Sequence, residues 1–500
     1  MSLIAGKSYV LQRGAGKPDV RLTVEAHIAG GGQAAIFKGN MTNLGDVVIR
    51  SISLRKQGLS PDTIRNTVAK EISALKNTRL SAKENKRNAA NVEGCNPHIN
   101  CYYGMIKYGK FADGGGGGGG VPGAEAEPFV YWSTETLPDH LYLIYEFIGG
   151  KTLETKIQEK LTAEQIISYG RQLLIGINSL HAVDKVHLDL KPANIMITDD
   201  NKLKIIDFGF ARDVNDVLLR RLPGLSFDHI APEGWELYAD PKTVFSTFVR
   251  TRLIDPKALD MFAIGCIFYK MFTKANLINF NVVDSMAFKK RDPESIVLPE
   301  EYNKFLPFVR QLVSFDKNVL HVIEGINKIE HFNNYGEWTS QIKTERDKAQ
   351  ENLRTVEQRC TEVAAPDAML ISERATAQEN MNAAQQVSNI ALNLLRSFIR
   401  TAEGQAAVAA AGAAARAAAA SAAAARAAAG GAGEGPAAPA RAAAPPPKVS
   451  RNRLSAPDAL RMWCELNEIE RDQCGRMAGG GRRSRRRKTS RRRKQTRRRR

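Results

Sequence analysis

This chain has few cysteines to pair and no stretch suited to a membrane. Six cysteines are scattered through 500 residues with no CxxC pair. That pattern predicts neither a zinc cluster nor a disulfide framework, and it fits a reducing compartment. No run approaches the roughly 18 apolar residues of a membrane span, and the opening MSLIAGKSYVLQRGAGK has no apolar signal core. The expectation is a soluble intracellular chain, cytoplasmic or nuclear, not secreted and not in a membrane. Acid is missing from one place: residues 481–500 hold 14 Arg or Lys and no Asp or Glu. Net charge is +19, so the other 480 residues carry only +5 and the basicity belongs to the tail. The hydrophobic fraction, 43%, is enough for a globular core, and the length allows about two to four domains.

The chemistry centres on His187–Ile197, HLDLKPANIMI. This short stretch brings together a carboxylate (Asp189), an ammonium (Lys191) and an amide (Asn194). Phosphoryl transfer uses these types: the carboxylate orients the attacking hydroxyl, the ammonium offsets charge on the moving group, and the amide oxygen holds a metal. Asp207-Phe208-Gly209 follows, and later Ala231-Pro232-Glu233. The ordered set resembles the eukaryotic-type Ser/Thr protein kinase family, in which a catalytic loop, D-F-G and A-P-E succeed one another. The resemblance implies an α+β, two-lobed protein-kinase-like fold with a β-rich small lobe and a helical large lobe, followed by a helical and disordered C-terminal extension. It also implies ATP and Mg²⁺ as cofactors and a protein as phosphate acceptor.

Val20–Ile28 alternates as a strand and leads into Ala29–Ile36. Against the phosphate-covering pattern G-x-G-x-x-G-x-V this turn reads A-x-G-x-x-A-x-I, with Gly31 alone at a motif glycine and Ala29, Ala34 and Ile36 at the other places. Val47-Val48-Ile49-Arg50 stands where the family has V-A-I-K. Arg50 thus replaces the phosphate-binding Lys, and Val48 an Ala that packs on the base. Arg is not interchangeable with Lys as a point charge. Glu71 matches the helix partner of that cation. The resemblance further puts Tyr145 at the gatekeeper position, Glu146–Ile148 in the base-contacting hinge, and Leu75, His187 and Phe208 in a stack.

Thr162–His181 reads as a helix from apolar residues three or four apart. In the loop after it, the resemblance makes Asp189 the proton acceptor, makes Lys191 a phosphate contact that indicates Ser/Thr specificity, and makes Asn194 and Asp207 the Mg²⁺ ligands. Leu188 replaces the Arg of H-R-D, implying activity not switched by an activation-loop phosphate. Ser226 reads as a structural hydroxyl. Asp260–Gly265 resembles the D-x-W-S-x-G helix start, and no Arg partner for Glu233 stands near Asp316–Leu320.

The segments expected are residues 1–19 (N-terminal segment), 20–332 (kinase domain, small lobe 20–148 and large lobe 149–332), 336–402 (helical hairpin), 403–454 (Ala/Gly/Pro-rich linker), 455–477 (short helix) and 478–500 (basic disordered tail). The hairpin follows from Ile342, Ala349, Leu353, Val356, Cys360 and Val363, close to a heptad seam broken at Pro366-Asp367. It would pack on the kinase or, through 338–398, on a second copy. Seven glycines, 114–120, read as a flexible loop. The tail suits a nucleic acid or another acidic partner through phosphates, and without interleaved aromatics it gives no sign of base stacking. Such tails beside a kinase domain are similar to proteins of giant DNA viruses, which would allow a virion association. Two functions follow. One is an active Ser/Thr kinase, favoured by the joint presence of Asp189, Lys191, Asn194 and Asp207. The other is a pseudokinase scaffold that recruits partners through the helical region and tail, favoured by Arg50, Val48 and the eroded glycines. Lys191 and the A-P-E segment disfavour a small-molecule phosphotransferase.

Overall fold

The computed structural model describes residues 3–12, 17–30, 34–55, 60–78, 94–108, 130–133, 140–219, 228–235, 237, 244–278, 293–327, 335–363, 367–407, 409–410, 450 and 453–469. The fold is mixed α+β, a β-rich N-terminal region followed by helices. It divides into two compact units, Met1–Asp213 with Ala456–Arg500, and Val214–Ser455. The division expected after residue 148 is therefore not where the chain separates. The helix and short strands carrying the catalytic loop pack with the N-terminal strands' own unit.

Seven strands form a closed barrel in the order β1-β2-β3-β4-β7-β5-β6. They are β1 (Ser8–Gln12), β2 (Val20–Gly30), β3 (Ala35–Met41), β4 (Gly45–Ser53), β5 (Tyr102–Tyr108), β6 (Val130–Ser133) and β7 (His140–Glu146). Alternation puts Leu11, Leu22, Val24, Phe37, Val47, Ile49 and Ile144 on the inner face, where they make one core. Residues 1–19, expected to be a mere leading segment, instead supply β1, which pairs with both β2 and β6 and closes the barrel. Leu3, Tyr9 and Leu11 are buried there. Five residues, SYVLQ, are too short a period for the sequence to separate from a loop.

Helix α1 (Pro61–Asn77) starts with Ser60, whose side chain accepts from Thr63 N, and Pro at its first position suits a helix start. Ile64, Val68, Glu71, Ala74 and Leu75 form its buried face, so Glu71 is carried inward with the apolar residues. Next come β8 (Lys151–Thr152), α2 (Leu153–Glu159) and α3 (Ala163–His181), the last opened by a capping box between Thr162 and Gln165. Then follow β9 (Lys185–Val186), a 3₁₀ turn Pro192–Asn194, β10 (Ile195–Ile197), β11 (Leu203–Ile205), a 3₁₀ turn Phe208–Phe210 and β12 (Arg212–Asp213). β11, β10 and β8 form one small sheet, and β12 pairs with β9.

The second unit is helical: α4 (Val214–Leu219), α5 (Pro232–Trp235), α6 (Val244–Leu253), α7 (Pro256–Thr273), α8 (Leu306–Leu312), α9 (Lys317–Asn327), α10 (Tyr335–Glu362) and α11 (Ala368–Ile399). α7 is buried nearly all round, which marks the centre of a helical core. α10 and α11 pair along their length, and Asp367 opens α11 by accepting from Leu370 N at 2.8 Å. Val356, Leu370 and Ala377 seal one end of the pair. At the other end Trp338 packs edge-on and Phe398 tilted against Phe245, with ring centroids 6.1 and 5.0 Å apart. The hairpin therefore packs within its own unit, on α6 and α9. Val363, placed on the seam by its spacing, is exposed.

Arg453 belongs to the same unit. Its guanidinium donates to both carboxylate oxygens of Glu233 at 2.5 and 3.3 Å, to Ala258 O at 2.8 Å and to Ser314 O at 3.0 Å. It also lies over the Phe262 ring, 5.1 Å from the centroid. Both charged side chains have 0% exposure. Glu233 draws its partner not from near Asp316–Leu320, where none was expected, but from beyond the hairpin. It lies 220 residues along the chain, beyond any local spacing rule.

The chain then returns to the first unit with α12 (Ala456–Leu466), which packs on α3. Trp463 is fully buried and its Nε1 donates to Ile167 O at 3.1 Å. The helix expected over 455–477 stops at Leu466. Glu468 takes φ +53° and Ile469 N bonds back to Cys464 O, a Schellman-type ending.

The cysteine expectation is also corrected. Cys95 pairs with Cys101 in a disulfide, with Cα atoms 5.5 Å apart, and Cys464 is disulfide-bonded too. The turn at Asn96–Asn100 brings the first pair together, a proximity that CxxC counting misses. The cysteine pattern therefore gives no argument for a reducing compartment. Among the described residues no helix is long and apolar enough to cross a membrane. Gly31, the glycine run 114–120, Ser226, most of the 403–454 linker and the tail 478–500 lie outside the described residues.

Candidate active site

One cleft of about 540 Å³ opens in the first unit, within the range of small-ligand pockets. Ala29, Ala34, Ile36, Val48, Arg50, Glu71, Glu146, Ile148, Asn194 and Asp207, all singled out from the sequence, line it. Asp189 and Lys191 do not line it but are bound to Asn194, directly and through each other. Phe147, within the expected hinge, lines it too, whereas Ile28, Asn100, Met196 and Ile206 also line the cleft and escaped the sequence reading. These are mostly apolar residues that no motif marks. The strand registers Ile36↔Arg50 and Val48↔Tyr145 bring three chain segments to this wall.

Four polar groups meet at one end. Arg50 Nη1 donates to Glu71 Oε1 at 2.8 Å, and the Tyr145 hydroxyl donates to the same oxygen at 2.6 Å. Arg50 Nη1 also lies 3.5 Å from Asp207 Oδ1. Burial opposes the charge on Arg50, but Glu71, Tyr145 and Asp207 outweigh it and hold the guanidinium above its ordinary value. Burial, with the Glu71 carboxylate beside it, pushes the Tyr145 hydroxyl well above its usual range, so it stays a donor. Val48 and Tyr145, both larger than alanine, flank this end.

The catalytic-loop residues form a closed network. Asn194 Nδ2 donates to Asp189 O and to Asp189 Oδ2, each at 2.8 Å, and Lys191 Nζ lies 3.0 Å from Asp189 Oδ2. His187 Nε2 donates to Ile206 O at 3.1 Å while its Nδ1 accepts from Asp189 N at 3.3 Å, which places the ring proton on Nε2. The His187 ring stacks on Phe208 at 4.8 Å, and α1 packs on the turn that carries Phe208. Leu188 and Asp207 take φ of +68° and +58°. Non-glycine residues in that region cost of order 1–3 kcal/mol and cluster at functional sites. Here they aim Asp189 and Asp207 from short turns.

Next to the cleft, His98 Nδ1 lies 3.2 Å from Leu203 O. Burial pushes this imidazole down to about 4, helped by Arg171 and Lys204 and opposed by the Leu203 carbonyl. The unfolded chain protonates His98 near 6.5, whereas the folded chain resists until about 4. Stability is therefore unaffected by this group above about pH 6.5 and falls as pH drops toward 4. Thermal melts from pH 7 to 4 should show a limb that flattens in His98→Gln. An unchanged limb would remove His98 as its cause.

Residues 129–333 match the family described as the protein kinase domain. The chain carries a protein kinase domain. Its relatives include a probable serine/threonine-protein kinase of Clostridium acetobutylicum, 30% identical over 185 residues, covering 37% of this chain and 25% of that protein. A probable serine/threonine-protein kinase of Dictyostelium discoideum is 30% identical, covering 33% and 22%. The cAMP-dependent protein kinase catalytic subunit 3 of Drosophila melanogaster is 30% identical, covering 29% and 22%. The kinase-domain match thus spans about a quarter of these relatives' length or less, and these bacterial, amoebal and insect sources lend no support to a viral origin. The family match begins at 129, so β1 to β5, with Arg50 and the turn that keeps one motif glycine, precede it. It stops before Arg453 and α12, which resume the structure beyond the hairpin.

Proposed function

We propose that this kinase domain is an active Ser/Thr protein kinase that transfers the ATP γ-phosphate to a protein hydroxyl with Mg²⁺. The observation that carries this reading is the network joining Asp189 and Lys191 to Asn194, which lines the same cleft as Asp207. Asn194 and Asp207 offer the hard oxygen ligands that suit Mg²⁺, which takes one or two protein oxygens plus phosphates and water. Because Asn194 Nδ2 donates to Asp189, its amide oxygen is the atom left to face a metal. A Mg²⁺ held by Asn194 and Asp207 would offset the charge on the phosphate groups.

The residues have distinct tasks. Asp189 positions the acceptor hydroxyl and takes its proton at a carboxylate oxygen. Lys191, held at 3.0 Å from Asp189, offsets charge on the transferred group. Arg50, fixed by Glu71, contacts the nucleotide phosphates, and Ile36, Val48 and Ile206 enclose the base. Because the match to known kinases is partial, the protein substrate and the protein's place in the cell are part of the proposal: an intracellular enzyme acting on Ser or Thr. The tail, 478–500, fits an acidic partner such as nucleic acid, with binding that weakens steeply as salt rises. Self-association through 338–398 would use the exposed side of the hairpin.

The test is transfer of label from γ-labelled ATP to basic and acidic protein substrates by the full-length protein, with Mg²⁺ and with excess chelator. The expected result is phosphoserine or phosphothreonine, reduced at least about 100-fold by the chelator. A folded sample that transfers nothing would sink the reading. One observation favours the scaffold alternative: Arg50 is committed to Glu71 and sits 3.5 Å from Asp207, so its charge also falls on a metal-holding carboxylate. Activity that appears only in Arg50→Lys would make the natural chain a scaffold.

A further inference from the structure

Asn100 lines the cleft, yet its side-chain oxygen Oδ1 is buried and has no hydrogen-bond partner among the described residues. Buried polar atoms are almost always paired, so one left unpaired in a ligand cleft calls for an explanation. The position is tightly held. Asn100 N donates to Ile205 O at 2.9 Å, and Ile99 bridges to Ile205. On the other side Cys101 N donates to Glu146 Oε2 at 3.3 Å and Glu146 N donates to Cys101 O at 2.9 Å. Behind the same loop a Cβ on Gly176 of α3 would come within 3.1 Å of His98 O, so the loop is pressed against the helix. The backbone cannot move to find Oδ1 a partner.

We propose that Asn100 is a specificity-determining residue of the nucleotide cleft, its Oδ1 accepting a hydrogen bond from the exocyclic amino group of an adenine base. The inference rests on the nucleotide-binding reading above and adds to it the residue that selects the base. Val48, Met196 and Ile206 line the same cleft, and a buried acceptor that only the ligand can satisfy discriminates between bases. A 6-amino purine supplies the missing donor. A 6-oxo purine sets an acceptor against an acceptor and leaves Oδ1 unpaired. With the carboxamide turned over, the same position would present a donor and reverse the preference.

The experiment is equilibrium binding of Mg·ATP and Mg·ITP, which differ in the 6-substituent, to the full-length protein and to Asn100→Val and Asn100→Asp. Wild type should prefer ATP by about tenfold or more. Asn100→Val should bring the two affinities to within about twofold, and Asn100→Asp, which keeps an acceptor, should retain the preference. Equal affinities in wild type, a preference for ITP, or a preference that survives Asn100→Val would overturn the proposal. If neither nucleotide binds the folded wild type, the functional reading falls and the proposal with it. ATP selectivity without phosphotransfer would uphold the role of Asn100 while sinking only the catalytic reading.

Discussion

Replacing Arg453 by Ala is expected to destabilise the protein by about 3–5 kcal/mol, the usual cost of leaving one member of a buried ion pair behind. Glu233 and Arg453 are both fully buried, and Arg453 also satisfies the carbonyls of Ala258 and Ser314. The Ala variant would leave an uncompensated carboxylate, two carbonyls without their donor and a cavity against Phe262. Urea unfolding followed by tryptophan fluorescence measures the loss. Pairing Arg453→Met with Glu233→Leu should recover most of it, since removing both charges removes the desolvation penalty along with the attraction. A single-variant loss under about 1 kcal/mol would show that the pair is not the clamp described here, because that is the range of exposed pairs. For the same reason, a chain truncated after residue 402 should not fold stably, although the family match ends at 333.

Asp189→Asn is expected to lower kcat by about 10²–10⁴-fold, the usual contribution of a positioned proton acceptor. The change is nearly isosteric. An amide oxygen can still accept from Asn194 Nδ2, so the loop should keep its shape while losing the charge that faces Lys191. KM for ATP should move little, because Asp189 does not line the nucleotide cleft. Steady-state kinetics with a phosphorylated peptide readout, beside a thermal melt, separates the outcomes. An unaltered kcat would remove Asp189 from the chemistry. A melt collapsed by many degrees would mean that its role is structural.

The parts of the site that were legible in the sequence are those whose spacing the chemistry itself fixes. Asp189, Lys191 and Asn194 sit in one turn, so their separation in sequence is their separation in space. Arg50 and Glu71 come from a strand and the helix after it, and the predicted pairing falls on a 2.8 Å contact. Asn100 escaped because nothing local marks it. It becomes a site residue only when the turn after Cys95 folds onto Ile205. β1 escaped because five residues carry too little periodicity, and the Cys95–Cys101 pair because no motif joins it.

The sequence by itself determined the resemblance to a protein kinase domain, the order of the chemical groups and the amphipathic helices. These are properties of short segments, set by side-chain period and by residue type at fixed offsets. Only the tertiary structure decided which distant segments of the chain meet. Arg453 reaches Glu233 across 220 residues, and α12 returns to α3 after the hairpin. The physical reason is desolvation: a carboxylate buried as deeply as Glu233 requires a cation, and the folded chain can draw that cation from any distance along itself.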